Sequence, residues 1–190
     1  MLIALARARY RGQTLPMRGI SFADLRPYLS PPPPSDRLGV YITMLQYVLT
    51  MAPQADLWQI AAQITDRITG AARSTDKFAA ALASKPLITF LLKRRSLRMG
   101  MVALSYPGPL RLAERYGAVR VKGLSGFISN NPLGPELAGF ATILQNRLTL
   151  DLQYLDADMD SATAAAILSD IRDLLMPEAT THDDGNRSDA

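Results

Sequence analysis

The chain of 190 residues is long enough to bury a core without covalent staples, and it reads as one domain or one large subdomain of something bigger. It contains no cysteine, which excludes disulfides, thiol nucleophiles and thiolate metal sites. Twenty-one Lys and Arg against seventeen Asp and Glu give a formal charge of +4, and only a clustered stripe of that excess would mark nucleic-acid binding.

The opening MLIALARARYRG predicts an amphipathic helix from Leu2 to Tyr10, ended by Gly12. Its arginines follow the apolar residues, the reverse of a secretory signal, and no run approaches the roughly 20 apolar residues that span a bilayer. A cytoplasmic protein without an integral membrane segment is expected. LPMRGISF predicts a strand over Leu15–Phe22 with a turn at Ala23-Asp24. Pro31–Pro34 can be neither helix nor central strand; they form a rigid extended loop or a ligand for a proline-recognition module.

Gly39 opens VYITMLQYVLTM, whose Val, Ile, Thr and Tyr content favours strand up to Pro53. Asp56 then caps a helix with Leu57, Ile60, Ala61, Ile64 and Ile68 on one face, and Trp58 is expected to anchor a core or an edge. STDKFAAALASK predicts a short helix stopping near Pro86, and PLITFLLKRRSLR a further one. Lys93, Arg94, Arg95 and Arg98 form the densest basic patch. At a helix C-terminus these charges are favourable without a partner. The same cluster suits phosphates of a nucleotide-like cofactor or, less simply, nucleic acid, although no aromatic residues interleave with it.

Residues 98–155 hold three or four β-like runs separated by Gly, Pro and Asn turns. Gly117 and Gly123 bracket AVRVK; Asn130, Asn131, Pro132 and Gly134 form a turn cluster; GFATILQ leads to Asn146-Arg147 as a hairpin connection. Leu148, Leu150, Leu152 and Tyr154 alternate with Thr149, Asp151 and Gln153, one set for a core and the other for solvent or a second layer. A last helix, capped by Asp160 or Ser161, offers Ala165, Leu168, Ile171, Leu174 and Leu175 as its packing stripe. From Pro177 the chain has almost nothing to bury, so residues 177–190 are expected to be a disordered acidic tail, with 1–176 as the folded unit. That tail carries four acidic residues against Arg187 and leaves a body of +7.

His182, the only histidine, lies in the tail, where neither geometry nor pKa would be held. The sequence also lacks a glycine-rich phosphate loop, a paired-histidine metal motif and a GxSxG elbow. Ser105, between MVAL and Tyr106-Pro107-Gly108, has no histidine to take its proton and is a poor nucleophile. Its hydroxyl suits a hydrogen bond to a substrate or developing oxyanion; alternatively Ser105 and Gly108 are turn residues only.

The ordered segments MLIALARARYRG, MRGISFADLRPYL, DRLGVYITML, DLWQIAAQITDRI, VALSYPG and NRLTLDLQYLDADMDSATAAAILSDIRDLL resemble the C-terminal half of the condensation-domain and chloramphenicol acetyltransferase-like superfamily, which includes alcohol acetyltransferases, wax ester synthases and polyketide-associated acyltransferases. The resemblance covers residues 1–175 and implies a two-layer α/β sandwich, a mixed β-sheet with helices on one side. It also implies two such subdomains meeting at a cleft, an acyl-CoA or acyl-phosphopantetheine donor, no bound cofactor, and a general base from a histidine pair and aspartate in the N-terminal subdomain.

That histidine motif is absent here, so the resemblance implies an O-acyltransferase subdomain inactive alone, needing a protein partner that carries the N-terminal subdomain, or self-associating. A non-catalytic scaffold pairing through the same face is the alternative. Asp24 and Arg26 match the family's D-L-R segment, and Gly39 its L-G-x-Y segment. Ser105 to Gly108 match its Ser-Asn-hydrophobic-Gly turn, with Tyr106 and Pro107 departing from the pattern.

Overall fold

The computed structural model describes residues 1–11, 13–34, 36–52, 54–75, 98–127 and 134–176, together with 77, 78, 82, 83, 85, 86, 89, 90 and 93. The expected stops at Gly12 and Pro53, the turn residues Asn130 to Pro132, and the tail with His182 lie outside them. So does most of the stretch predicted as two helices over 74–98, whose described positions between Lys77 and Phe90 are helical.

Helix α1 spans Leu2–Tyr10, but it is not amphipathic by face. Leu2, Ile3, Ala4, Leu5 and Ala6 are all buried, whereas Arg7 and Arg9 are exposed, so the helix enters the core end-on and keeps its charges for its last turn. Arg7 donates to Asp170 at 2.7 Å and Arg9 pairs with Glu136 at 2.9 Å. The left-handed position that ends the helix falls on Arg11, with φ 44°.

Strand β1 (Leu15–Asp24) pairs antiparallel with β2 (Ile42–Met51) from Leu15↔Met51 to Asp24↔Ile42. Ala23 and Asp24 therefore continue the strand instead of turning; the turn is the 3-10 segment Arg26–Tyr28, where the Asp24 carboxylate accepts from the Arg26 N–H at 2.9 Å. After β2, Asp56 caps α2 (Leu57–Arg73) by accepting from Gln59 N–H, and the predicted face is the one that turns inward. Trp58 is the exception: it is 78% exposed and anchors nothing in the core.

Strand β3 (Val102–Ser105) lies between β1 and β7 (Leu137–Leu144), parallel to both. Strand β4 (Pro109–Leu110) continues along the same side of β7, and β8 (Arg147–Gln153) pairs antiparallel on the other. The β7–β8 turn residues are Gln145 and Asn146, both with positive φ, one position earlier than expected, and Arg147 already pairs with Leu144. Two left-handed residues in succession match the right-handed twist of a tight hairpin. AVRVK contributes only β6 (Val119–Arg120), which forms a small separate hairpin with β5 (Arg115–Tyr116) across Gly117.

Strand register divides the six-stranded sheet into two unlike faces. Met17, Leu49, Met51, Val102, Leu137, Leu150 and Leu152 point to one side, where α1, α2 and α3 (Ser161–Leu175) cover them. On α3, Ile171 and Leu174 pack inward as expected, but Ala164 and Ile167 take the places expected for Ala165 and Leu168; Leu168 and Leu175 are about half exposed. The architecture is the expected two-layer α/β sandwich. No helix among the described residues is long and apolar enough to cross a membrane.

Candidate functional site

The face opposite α1, α2 and α3, free of helices among the described residues, is crossed by residues 121–126. The Asp151 carboxylate accepts from the Gly126 N–H at 3.0 Å, and the Gln153 amide donates to the Gly126 carbonyl at 2.7 Å. The Thr142 hydroxyl donates to the Leu124 carbonyl at 3.2 Å. The polar half of the β8 alternation thus serves a second layer, not solvent. Phe140 lies against Gly126, where a Cβ would sit 2.2 Å from the ring; a side chain there would lift the crossing segment off the sheet.

Ser105 occupies the same face, paired with Phe140 at the end of β3. From Ser105 to Pro109 the chain advances four residues while β7 advances three, from Phe140 to Ile143. The extra residue makes a bulge, and Gly108 takes it up with φ 89°, a conformation side chains resist. Bulges of this kind re-aim side chains. The Ser105 hydroxyl is half-buried and makes no hydrogen bond with a described residue.

At the carboxyl end of the neighbouring β1, Asp24, Arg26 and Gly39 form one clasp. Arg26 lies 3.6 Å from the Asp24 carboxylate, donates to the Arg37 carbonyl at 3.3 Å and stacks 4.5 Å from the Tyr41 ring centre. The ring's other neighbour is Gly39, whose missing Cβ would lie 2.6 Å from it. The clasp closes the proline-containing connection between β1 and β2. Tyr41 is the last residue of the L-G-x-Y segment, although no contact was assigned to it there, and Arg37 was not singled out in the sequence.

Two residues of the basic cluster are described. Arg98 is held by Asp158 at 2.5 Å, Lys93 is exposed, and Arg94 and Arg95 lie outside the described residues. Lys77, by contrast, is buried: its ammonium donates to the Ser74 carbonyl at 2.8 Å and lies 4.5 Å and 4.9 Å from the Tyr28 and Phe78 ring centres. No local motif announced it. Among the described residues, no group of three or more His, Asp or Glu side chains could hold a metal.

An apolar cavity of about 230 Å³ lies on the helix-covered face, bounded by Met1, Leu104, Leu150 and Leu174 among others. Leu104 points into it while the adjacent Ser105 points to the opposite face, so the sheet separates the two.

No family model and no curated protein matches the chain. Solved structures do. Polyketide synthase associated protein 5 from Mycobacterium tuberculosis is similar over 94% of this chain and 45% of its own, at 14% identity and a TM-score of 0.59. The epimerization domain from the third module of tyrocidine synthetase B is similar over 92% and 40%, at 17% identity and a TM-score of 0.54. The condensation domain that mediates chain release from the enacyloxin polyketide synthase is similar over 99% and 36%, at 14% identity and a TM-score of 0.53. The chain spans less than half the length of each of these proteins, and it carries the chloramphenicol acetyltransferase and condensation-domain-like fold.

Proposed function

We propose that this chain forms the C-terminal subdomain of an O-acyltransferase that takes its acyl group from coenzyme A or a carrier-protein phosphopantetheine thioester, and that it is inactive alone. The observation that carries the reading is the bulge after β3, beside which the Ser105 hydroxyl has no hydrogen-bond partner among the described residues, at the carboxyl ends of two parallel strands on the face opposite α1, α2 and α3. In such sheets ligands gather at the strands' carboxyl ends.

A histidine supplied from outside these residues would take the proton of the acceptor hydroxyl. The alkoxide oxygen adds to the thioester carbonyl, Ser105 donates a hydrogen bond to the resulting oxyanion, and collapse expels the thiolate, which takes up the histidine's proton. Asp24, Arg26 and Gly39 hold the adjoining strand end in shape, and Gly108 permits the bulge. The exposed Lys93, with Arg94 and Arg95, is assigned to donor phosphates; Arg98 is left to its ion pair with Asp158.

The purified chain mixed with acetyl-CoA and an alcohol is expected to release no free thiol, and robust release would overturn the claim of inactivity. In a complex that does transfer acyl groups, Ser105→Ala should lower kcat by about 100-fold while leaving thermal stability unchanged, because the hydroxyl supports nothing in the fold. An unchanged kcat removes Ser105 from the reaction.

A second reading, a non-catalytic subunit that pairs with a protein partner or itself, is favoured by one feature. Tyr106, Leu112, Tyr116, Val119 and Phe127 are exposed along the arm between β3 and β7. Light scattering on the pure chain separates the two: a stable oligomer that binds no acyl-CoA supports the second.

A further inference from the structure

Strand β2 is the first strand of the sheet and bonds only to β1, so among the described residues its outer edge is unpaired over ten positions. Ile42–Met51 contains no proline, glycine or charged residue, the usual devices that keep an edge from accepting another strand. About half of its backbone N–H and C=O groups face outward. Ile42 and Val48 remain 55% and 49% exposed.

At the middle of this edge is an open groove of about 390 Å³ lined by Arg18, Gln46, Tyr47, Val48 and Arg67. Arg18 stands one strand inward, paired with Val48 on the helix-free face, and Arg67 comes from α2 on the covered side. Neither guanidinium group makes an ion pair or hydrogen bond with a described residue, whereas those of Arg7, Arg9, Arg26, Arg98 and Arg120 all pair with a carboxylate. Two unneutralised guanidinium groups therefore flank an open hydrogen-bonding edge.

We infer that β2 is a strand-addition site for an extended acidic segment of another protein. The incoming backbone completes the ladder on the outer edge of β2, and two carboxylates on successive residues, hence on opposite faces, meet Arg18 and Arg67. A second copy of this chain is the poorer occupant: self-pairing of β2 about a two-fold axis brings no acidic residue to the edge and sets arginines against arginines. This site is on a different strand from Ser105 and does not depend on acyl transfer.

The test uses the full chain and a fluorescent peptide alternating Thr and Val with two adjacent central Glu residues, beside its Lys counterpart. The Glu peptide is expected to bind about ten-fold more tightly than the Lys peptide at low salt, with the difference shrinking as salt rises. It should also slow hydrogen exchange at the amides of residues 42–51. The Arg18→Glu/Arg67→Glu double variant should reverse the preference, and Arg18→Gln/Arg67→Gln should abolish it, each with an unchanged circular dichroism spectrum. Absent binding, equal binding of both peptides, or binding without protection of β2 overturns the proposal, the last reducing the groove to a simple anion site. Concentration-dependent dimerisation that protects β2 without peptide overturns it in favour of a second copy.

Discussion

Replacing Gly19 by alanine should destabilise the protein through a single contact. Gly19 pairs with Tyr47 across β1 and β2, and the outer end of the tyrosine reaches over it: an added Cβ would stand 2.3 Å from Cε2, 2.4 Å from Cζ and 2.6 Å from the hydroxyl oxygen. The ring packs against the core on the helix-covered face. Swinging it aside loses packing, at about 1–3 kcal/mol for an overfilled site. Alanine in a strand returns about 0.5–1 kcal/mol relative to glycine. The net cost is about 0.5–2 kcal/mol, or a fall in Tm of roughly 2–8 °C for a chain of this size. Thermal and urea unfolding followed by circular dichroism measure it. In a Tyr47→Ala background the obstruction is gone, so Gly19→Ala should become neutral or stabilising there. An equal cost in both backgrounds refutes the reasoning.

Ile167→Ala, at a fully buried position of α3, should cost about 2–5 kcal/mol, read from the same unfolding curves. Asp160 caps α3 through Thr163, and those hydrogen bonds hold its carboxyl below the usual range. Its contribution is therefore present above the unfolded carboxyl pKa and is lost as pH falls through the lower folded one. Asp160→Ala should lower Tm at neutral pH and converge with the parent in acid. Burial first, then the Glu136 carboxylate, pushes the Tyr10 phenol from 10.0 to about 12. Between those values the unfolded chain sheds its proton before the folded one, so stability declines with rising pH. Tyr10→Phe should flatten that decline in a pH series of denaturant melts, and an identical slope would contradict the assignment.

Local pattern carried much of the architecture. The alternation from Leu148 to Tyr154, the caps at Asp56 and Asp160, and the β-branched run of β2 each express an intrinsic backbone preference, and each became the element it implied. The bulge was invisible because it exists only as a mismatch of one residue between β3–β4 and β7, strands about thirty residues apart. Lys77 and the Arg26–Tyr41–Gly39 clasp escaped for the same reason: each is a contact between segments brought together by folding.

The sequence by itself determined most element types, a central sheet with helices as its cover, and the absence of cysteine or nearby-histidine chemistry from the body of the chain, because those follow from side-chain period and residue identity; the two-layer class came from the family resemblance. Which way each surface turned was left to tertiary structure. α1 entered the core by its end, the first half of the α3 stripe shifted by one position, Trp58 faced outward, and Arg98 went to Asp158. In each case several orientations satisfy the local pattern, and the choice among them is made by which neighbour is available to bury apolar area or neutralise charge.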